Sequence, residues 1–209
     1  MKKLFLFFCS IVFLTSCATT STFQGRIIYK YQYLDKSGKN ITDQVKEMDT
    51  EQCYYINPAN YKSYNQNGEL TQLYNSISNK YFYSVGMELE SIDASTPSPK
   101  SFSVQDKKGE EKILNHTCKK ILVTTEVGSV LYYFDKNVKV NKAPFMKHRF
   151  GNWSQYLSKT KGALPLKFIL TNKEGTLVAT AIEIKLMTLS NEEFEVQKAL
   201  RKNNQKKED

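Results

Sequence analysis

From Phe23 to Tyr33 apolar and polar residues alternate, with Phe23, Gly25, Ile27, Tyr29, Tyr31 and Tyr33 on one side and Gln24, Arg26, Lys30 and Gln32 on the other. A period of two belongs to a strand with one buried face, and Ile28 is the exception on the polar side. Asp35-Lys36-Ser37-Gly38-Lys39-Asn40 ends the run as a turn, and residues 41–48 fit either a strand or a short helix. Short strand-like segments follow at 51–56, 62–65, 70–76, 80–85 and 100–105, divided by Asn57-Pro58-Ala59-Asn60, Asn67-Gly68 and the loop from Ser95 to Pro99. The Asn-Gly pair is the strongest of these hairpin signs. Longer strands are predicted at 111–125 and 130–134, joined across Glu126-Val127-Gly128-Ser129. A last hairpin pairs 166–171 with 177–187 across Asn172-Lys173-Glu174-Gly175. In its second arm Val178, Thr180, Ile182, Ile184 and Leu186 share one face, expected to point inward, opposite Ala179, Ala181, Glu183 and Lys185.

One internal stretch, 144–161, has a helical pattern in Phe145, Phe150, Trp153 and Leu157, interrupted by Gly151. Core packing is the simpler role for Trp153 and its neighbours. The charged segment 191–209 is expected to be helical in its first half and frayed at its end. Together these elements predict a mainly β (α+β) chain, with residues 23–190 as a single β-rich domain. Thirteen tyrosines and twelve phenylalanines against nine glycines and five prolines suit that strand-rich reading.

The N-terminus has a different pattern. Lys2 and Lys3 precede an apolar run from Leu4 to Leu14, which ends in Leu14-Thr15-Ser16-Cys17. A charged start, an apolar stretch and small residues form a secretory signal, and the run is about half the roughly 20 residues a spanning helix needs. The four residues ending at Cys17 resemble the bacterial lipobox. That resemblance implies removal of residues 1–16, a diacylglyceryl group on the Cys17 sulfur, a short tether over 17–22 and a membrane as the first partner. Ordinary cleavage near Ala18 is the alternative. No acidic run follows Cys17, which points to an outer-membrane protein facing the periplasm.

Cys9 leaves with the signal and Cys17 is alkylated, so Cys53 and Cys118 remain. A lone pair in an exported protein suggests one disulfide, closing a loop of about 65 residues and stabilising by roughly 4 kcal/mol. Two buried thiols are the alternative. The chain has only two histidines, His116 and His148, and no second cysteine at ligand spacing near either, so no metal and no cofactor are expected. His116 and Cys118 fall two apart in a predicted strand, but no third group is apparent to orient a nucleophilic pair. Neither nucleotide-binding nor hydrolase motifs occur, and no enzyme is expected. The net charge is +9, or +7 without Lys2 and Lys3, with a cluster in Lys198, Arg201, Lys202, Lys206 and Lys207. Export argues against nucleic acid, so this charge reads as solvated surface with some preference for anionic headgroups.

Three short motifs carry a wider resemblance: Gly25-Arg26-Ile27-Ile28-Tyr29, Leu114-Asn115-His116-Thr117-Cys118-Lys119-Lys120 and Gly162-Ala163-Leu164-Pro165-Leu166-Lys167-Phe168. Their order resembles bacterial envelope proteins of the lipoprotein-carrier-like (LolA/LppX-like) superfamily, including GLPGLI-type relatives. The chain departs from that pattern in Asn115-His116, where Gly-Tyr is expected, and in an extra residue before Pro165. The resemblance implies a curved antiparallel half-barrel with one or two covering helices. A curved sheet that a helix fills incompletely offers an apolar cavity for a lipid or other hydrophobic ligand. If the helix fills it, the protein is instead an envelope structural or protein-interaction module.

Overall fold

The computed structural model describes residues 22–86, 88–97 and 99–205, so Cys17 and the signal segment lie outside the described residues. Among the described residues eleven strands make one antiparallel sheet: β1 (Gly25–Leu34), β2 (Glu51–Ile56), β3 (Tyr61–Asn65), β4 (Leu70–Asn75), β5 (Lys80–Val85), β6 (Glu88–Asp93), β7 (Ser103–Ile113), β8 (His116–Thr125), β9 (Gly128–Lys139), β10 (Ala163–Thr171) and β11 (Thr176–Leu186). Their spatial order is β6-β5-β4-β3-β2-β1-β11-β10-β9-β8-β7. Two meanders therefore run outward from the middle, and the β1–β11 pair stitches the first strand to the last. β6 and β7 are free edges, so the sheet is not closed into a barrel.

Among the described residues two α-helices accompany the sheet, α1 (Trp153–Thr160) and α2 (Val196–Gln205). The α1 side shows how far the sheet bends. β3 and β9 are five strand spacings apart, about 24 Å in a flat sheet. Yet Tyr61 of β3 touches Trp153 at 6.0 Å, Trp153 stacks on Tyr156 at 5.4 Å, and Tyr156 meets Tyr132 of β9 at 4.5 Å. Three ring contacts can bridge that gap only if the strands curl toward one another around the helix. The main core lies on this concave side, drawing buried residues from β1, β2, β3, β4, β7, β8, β9, β10 and β11.

The middle of the concave face is built from small residues. Ala179 and Ala181 of β11 are buried, and Tyr29 of β1 meets Phe168 of β10 across that strand at 5.9 Å. Two methyl groups leave room for rings from both flanking strands to meet above them, and the Tyr29 hydroxyl donates to the Pro165 carbonyl at 2.6 Å. This reverses the face expected for β11. In its first half Ala179 and Ala181, not Val178 and Thr180, face the core. Ile28 pairs with Glu183 and Tyr29 with Ala181, which makes Ile182 the extra residue of a bulge. Ile182 is 48% exposed and Leu186 75% exposed, and the bulge returns only Ile184 to the core side.

α2 covers the opposite face of β2–β5. Ala199 and Val196 pack with Tyr64, Leu70, Leu73 and Cys53 in a second, smaller cluster. Lys62 is buried there, its Nζ donating to the Glu193 carbonyl at 2.6 Å and lying over the Phe194 ring. Among the described residues every strand and both core clusters lie between Phe23 and Ala199, so a chain from Ala18 onward keeps all of them.

Two local features escaped the sequence pattern. β6 forms in a stretch to which the pattern assigned no element, Leu89 and Ile92 being the only apolar residues of this edge strand. The strand expected at 111–125 is two strands, β7 and β8, folded at Leu114 with φ +52°. A leucine in left-handed backbone gives no turn signal in sequence.

Candidate functional site

The connector from β9 to β10 fills one half of the concave face. It crosses to the β5 side, where the N–H groups of Arg149 and Phe150 donate to the Ala94 carbonyl at 2.7 and 3.0 Å, and returns through α1. Asn152 opens α1 in left-handed backbone, and Gly162 after it adopts φ +89°, with the Val140 carbonyl oxygen only 2.3 Å from where a Cβ would be. Tyr61 is the hub of this half. Its ring contacts Tyr54, Tyr74, Phe145, His148 and Trp153 at 5.4–6.4 Å, and its hydroxyl lies 2.6 Å from His148 Nε2. Burial drives the His148 pKa down to about 3, so the imidazole is neutral at physiological pH and acts as a stacked ring.

The other half stays open. A cleft of about 310 Å³ lies over β1, β11, β10 and β9, at the strand ends away from the connector. Val130, Leu170 and Leu177 are paired side by side across β9, β10 and β11 and form its apolar end. Tyr132 and Phe168, paired in the next row inward, and Tyr29 continue the aromatic wall. Trp153 and Tyr54 lie toward the filled half, and Tyr31, Gln52 and Gln72 form a mouth shared with an adjoining hollow of about 190 Å³. Asp49, Glu51, Thr71 and Tyr81 line that hollow.

The polar groups here are few and neutral. Burial raises the phenol pKa of Tyr54, Tyr29 and Tyr31, and that of Tyr132 to about 12. No Lys, Arg, Asp or Glu lines the cleft itself. The Tyr54 hydroxyl and the Trp153 indole Nε1 are buried with no hydrogen-bond partner in the protein. Such groups are uncommon and costly to leave unpaired, and here both belong to residues of the cleft wall. The arrangement can hold an apolar or aromatic body and bind an acceptor atom; it places no acid, base or nucleophile inside the cleft.

The residues singled out from sequence lie elsewhere. Cys53 and Cys118 are free thiols, which corrects the expected disulfide. Cys53 is on the face of β2 opposite Tyr54, under α2, whereas Cys118 belongs to the main core, with β1, β11, β10 and β9 between their strands. His116 does find the third group that sequence did not reveal, its Nδ1 lying 2.8 Å from Asp135 Oδ2. The Cys118 thiol, however, meets the His116 carbonyl at 3.8 Å rather than its ring, and burial holds its pKa up at about 11, so no activated nucleophile results. Among the described residues no group of three or more His, Cys, Asp or Glu is placed to hold a metal, and no helix is long and apolar enough to cross a membrane.

No protein-family model matches the chain, and no curated protein does. Among solved structures the chain is similar to PNGF-II, with TM-score 0.49, 14% identity and coverage of 81% of this chain and 30% of that one. It is also similar to MucB, with TM-score 0.31, 10% identity and coverage of 84% and 57%. The chain thus spans under a third of PNGF-II and little more than half of MucB. None of these comparisons identifies an enzyme family or confirms the lipoprotein-carrier resemblance.

Proposed function

We propose that the protein is a lipid-anchored envelope module that binds a hydrophobic ligand in the open half of its concave face. The cleft carries this reading: about 310 Å³ of space walled by Tyr29, Tyr132, Trp153 and Phe168 and ending in Val130, Leu170 and Leu177. That volume is at the lower end of the roughly 300–1,000 Å³ of small-molecule sites. The anchor rests on Leu14-Thr15-Ser16-Cys17, and the periplasm-facing outer membrane remains part of the proposal.

Each part has its own test. Cys17→Ser is expected to release the protein from membranes and to abolish labelling by a fatty-acid analogue; labelling that persists removes the anchor. For the cleft, the chain from Ala18 onward is titrated with single-chain amphiphiles below their aggregation concentration. Trp153, the only tryptophan, reports at the cleft wall, and melting temperature reports by linkage, rising by an amount corresponding to RT ln(1 + [L]/Kd). Silence in both signals favours the protein-interaction module instead.

A further inference from the structure

Resting on that reading, we infer that the ligand is a neutral single-chain ester with a hydroxyl-bearing head, of the monoacylglycerol type, whose carbonyl oxygen accepts from Tyr54 and Trp153. Three observations converge on this chemistry. First, Tyr54 is 7% exposed and its hydroxyl has no partner, and the Trp153 indole N–H, which can only donate, is likewise buried and unpaired. A plain hydrocarbon would leave both unpaired, whereas a carbonyl oxygen has two lone pairs and can accept from both.

Second, the cleft offers no cation. A carboxylate or phosphate entering it would lose its hydration without a counter-charge, so a charged terminus is disfavoured there. Asp49, Gln52, Thr71, Gln72 and Tyr81 are among the residues lining the adjoining hollow, groups that pair with hydroxyls and offer an anionic head no cation. Third, the Val130–Leu170–Leu177 row makes one end of the cleft apolar, whereas Tyr31, Gln52 and Gln72 are shared with the polar hollow beside it, so an apolar chain and a hydroxyl-bearing head have separate places. At about 30 Å³ per heavy atom, 310 Å³ accommodates a chain of about ten carbons.

The test uses the chain from Ala18 onward and three ten-carbon probes: 1-decanoylglycerol, 1-O-decylglycerol, which lacks only the carbonyl oxygen, and decanoate. Calorimetry is expected to show 1-decanoylglycerol binding about tenfold tighter than the ether and tighter still than decanoate. Tyr54→Phe, which keeps the ring, should bring ester and ether to within about twofold of each other. If that variant does not fold, Trp153→Phe makes the same comparison. Equal affinity of ester and ether for the unaltered chain would mean that water satisfies the donors, and would overturn the inference while leaving hydrophobic binding intact. Decanoate binding as tightly as the ester would overturn the neutral head. Failure of all three probes would remove the hydrophobic-ligand reading itself.

Discussion

One concave face is finished in two ways. Over β3–β5 it is packed solid: Tyr61 and Tyr74 receive Phe145, His148 and Trp153 from the connector, and Tyr74 and Phe145 are fully buried. Over β1, β11, β10 and β9 the same sheet carries comparable rings, but the connector crosses only the far strand ends and leaves a cleft. Both halves are aromatic, so composition does not separate them. The difference lies in where the chain returns, because a sheet curved by its own twist and bulges needs a covering segment along its whole length to close the core. The cleft is the part that α1, only eight residues long, borders through Trp153 but does not cover.

The largest effect expected from this contrast is on stability. Phe145→Ala should cost about 3–5 kcal/mol, since it opens a hole in the packed half with no neighbour free to collapse into it. Leu170→Ala at the cleft should cost about 1 kcal/mol or less, because that side chain already borders open space. Urea denaturation of both variants measures the two; equal losses would erase the distinction between the halves.

Acid should attack the packed half next. His148 is neutral in the fold, with its pKa lowered to about 3 from 6.5 by burial, and its stacking partners Tyr61 and Tyr74 carry no charge at low pH. Below pH 6.5 the unfolded chain takes up a proton that the native imidazole refuses until about pH 3, so stability falls across that window as pH drops. The full loss is on the order of 5 kcal/mol. His148→Phe should flatten this part of the pH profile, and an unchanged profile would show that the ring is solvated rather than buried.

Much of the architecture was legible because it is written in local alternation. β2 and β5 match their expected bounds, and the odd face of β1 is buried through Phe23, Ile27 and Tyr29 as its pattern implied. The Asn67-Gly68 turn joins β3 to β4, with Gly68 at φ +78°. What the pattern could not convey is tertiary. On β11 the larger side chains suggested the inner face, yet rings arriving from β1 and β10 require small residues there, and the bulge at Ile182 changes the phase midway. The cleft was expected in kind but could not be placed, since Gln52, Gln72 and the Tyr54 hydroxyl gain meaning only once β2, β4 and α1 are brought together. His116 gained Asp135 for the same reason: β8 and β9 are neighbours in the sheet, which no spacing of nineteen residues announces.

The smallest expected effect is the sharpest test of whether the open half is open. Adding atoms to a packed interior forces neighbours off their rotamers and costs about 1–3 kcal/mol. Ala94→Leu should pay that cost, because Ala94 is fully buried in the main core and its carbonyl anchors Arg149 and Phe150 of the connector. Leu170→Phe also adds volume, but adds it beside Val130 and Leu177 at the apolar end of the cleft, where a ring can turn into existing space. Its change in stability should lie within about 0.5 kcal/mol of zero, and its response to 1-decanoylglycerol should be lost because the ring occupies the place of the chain. A cost equal to that of Ala94→Leu would mean that the rings have closed over the cleft in solution. A neutral substitution that still binds the ester undiminished would place the chain elsewhere on the sheet.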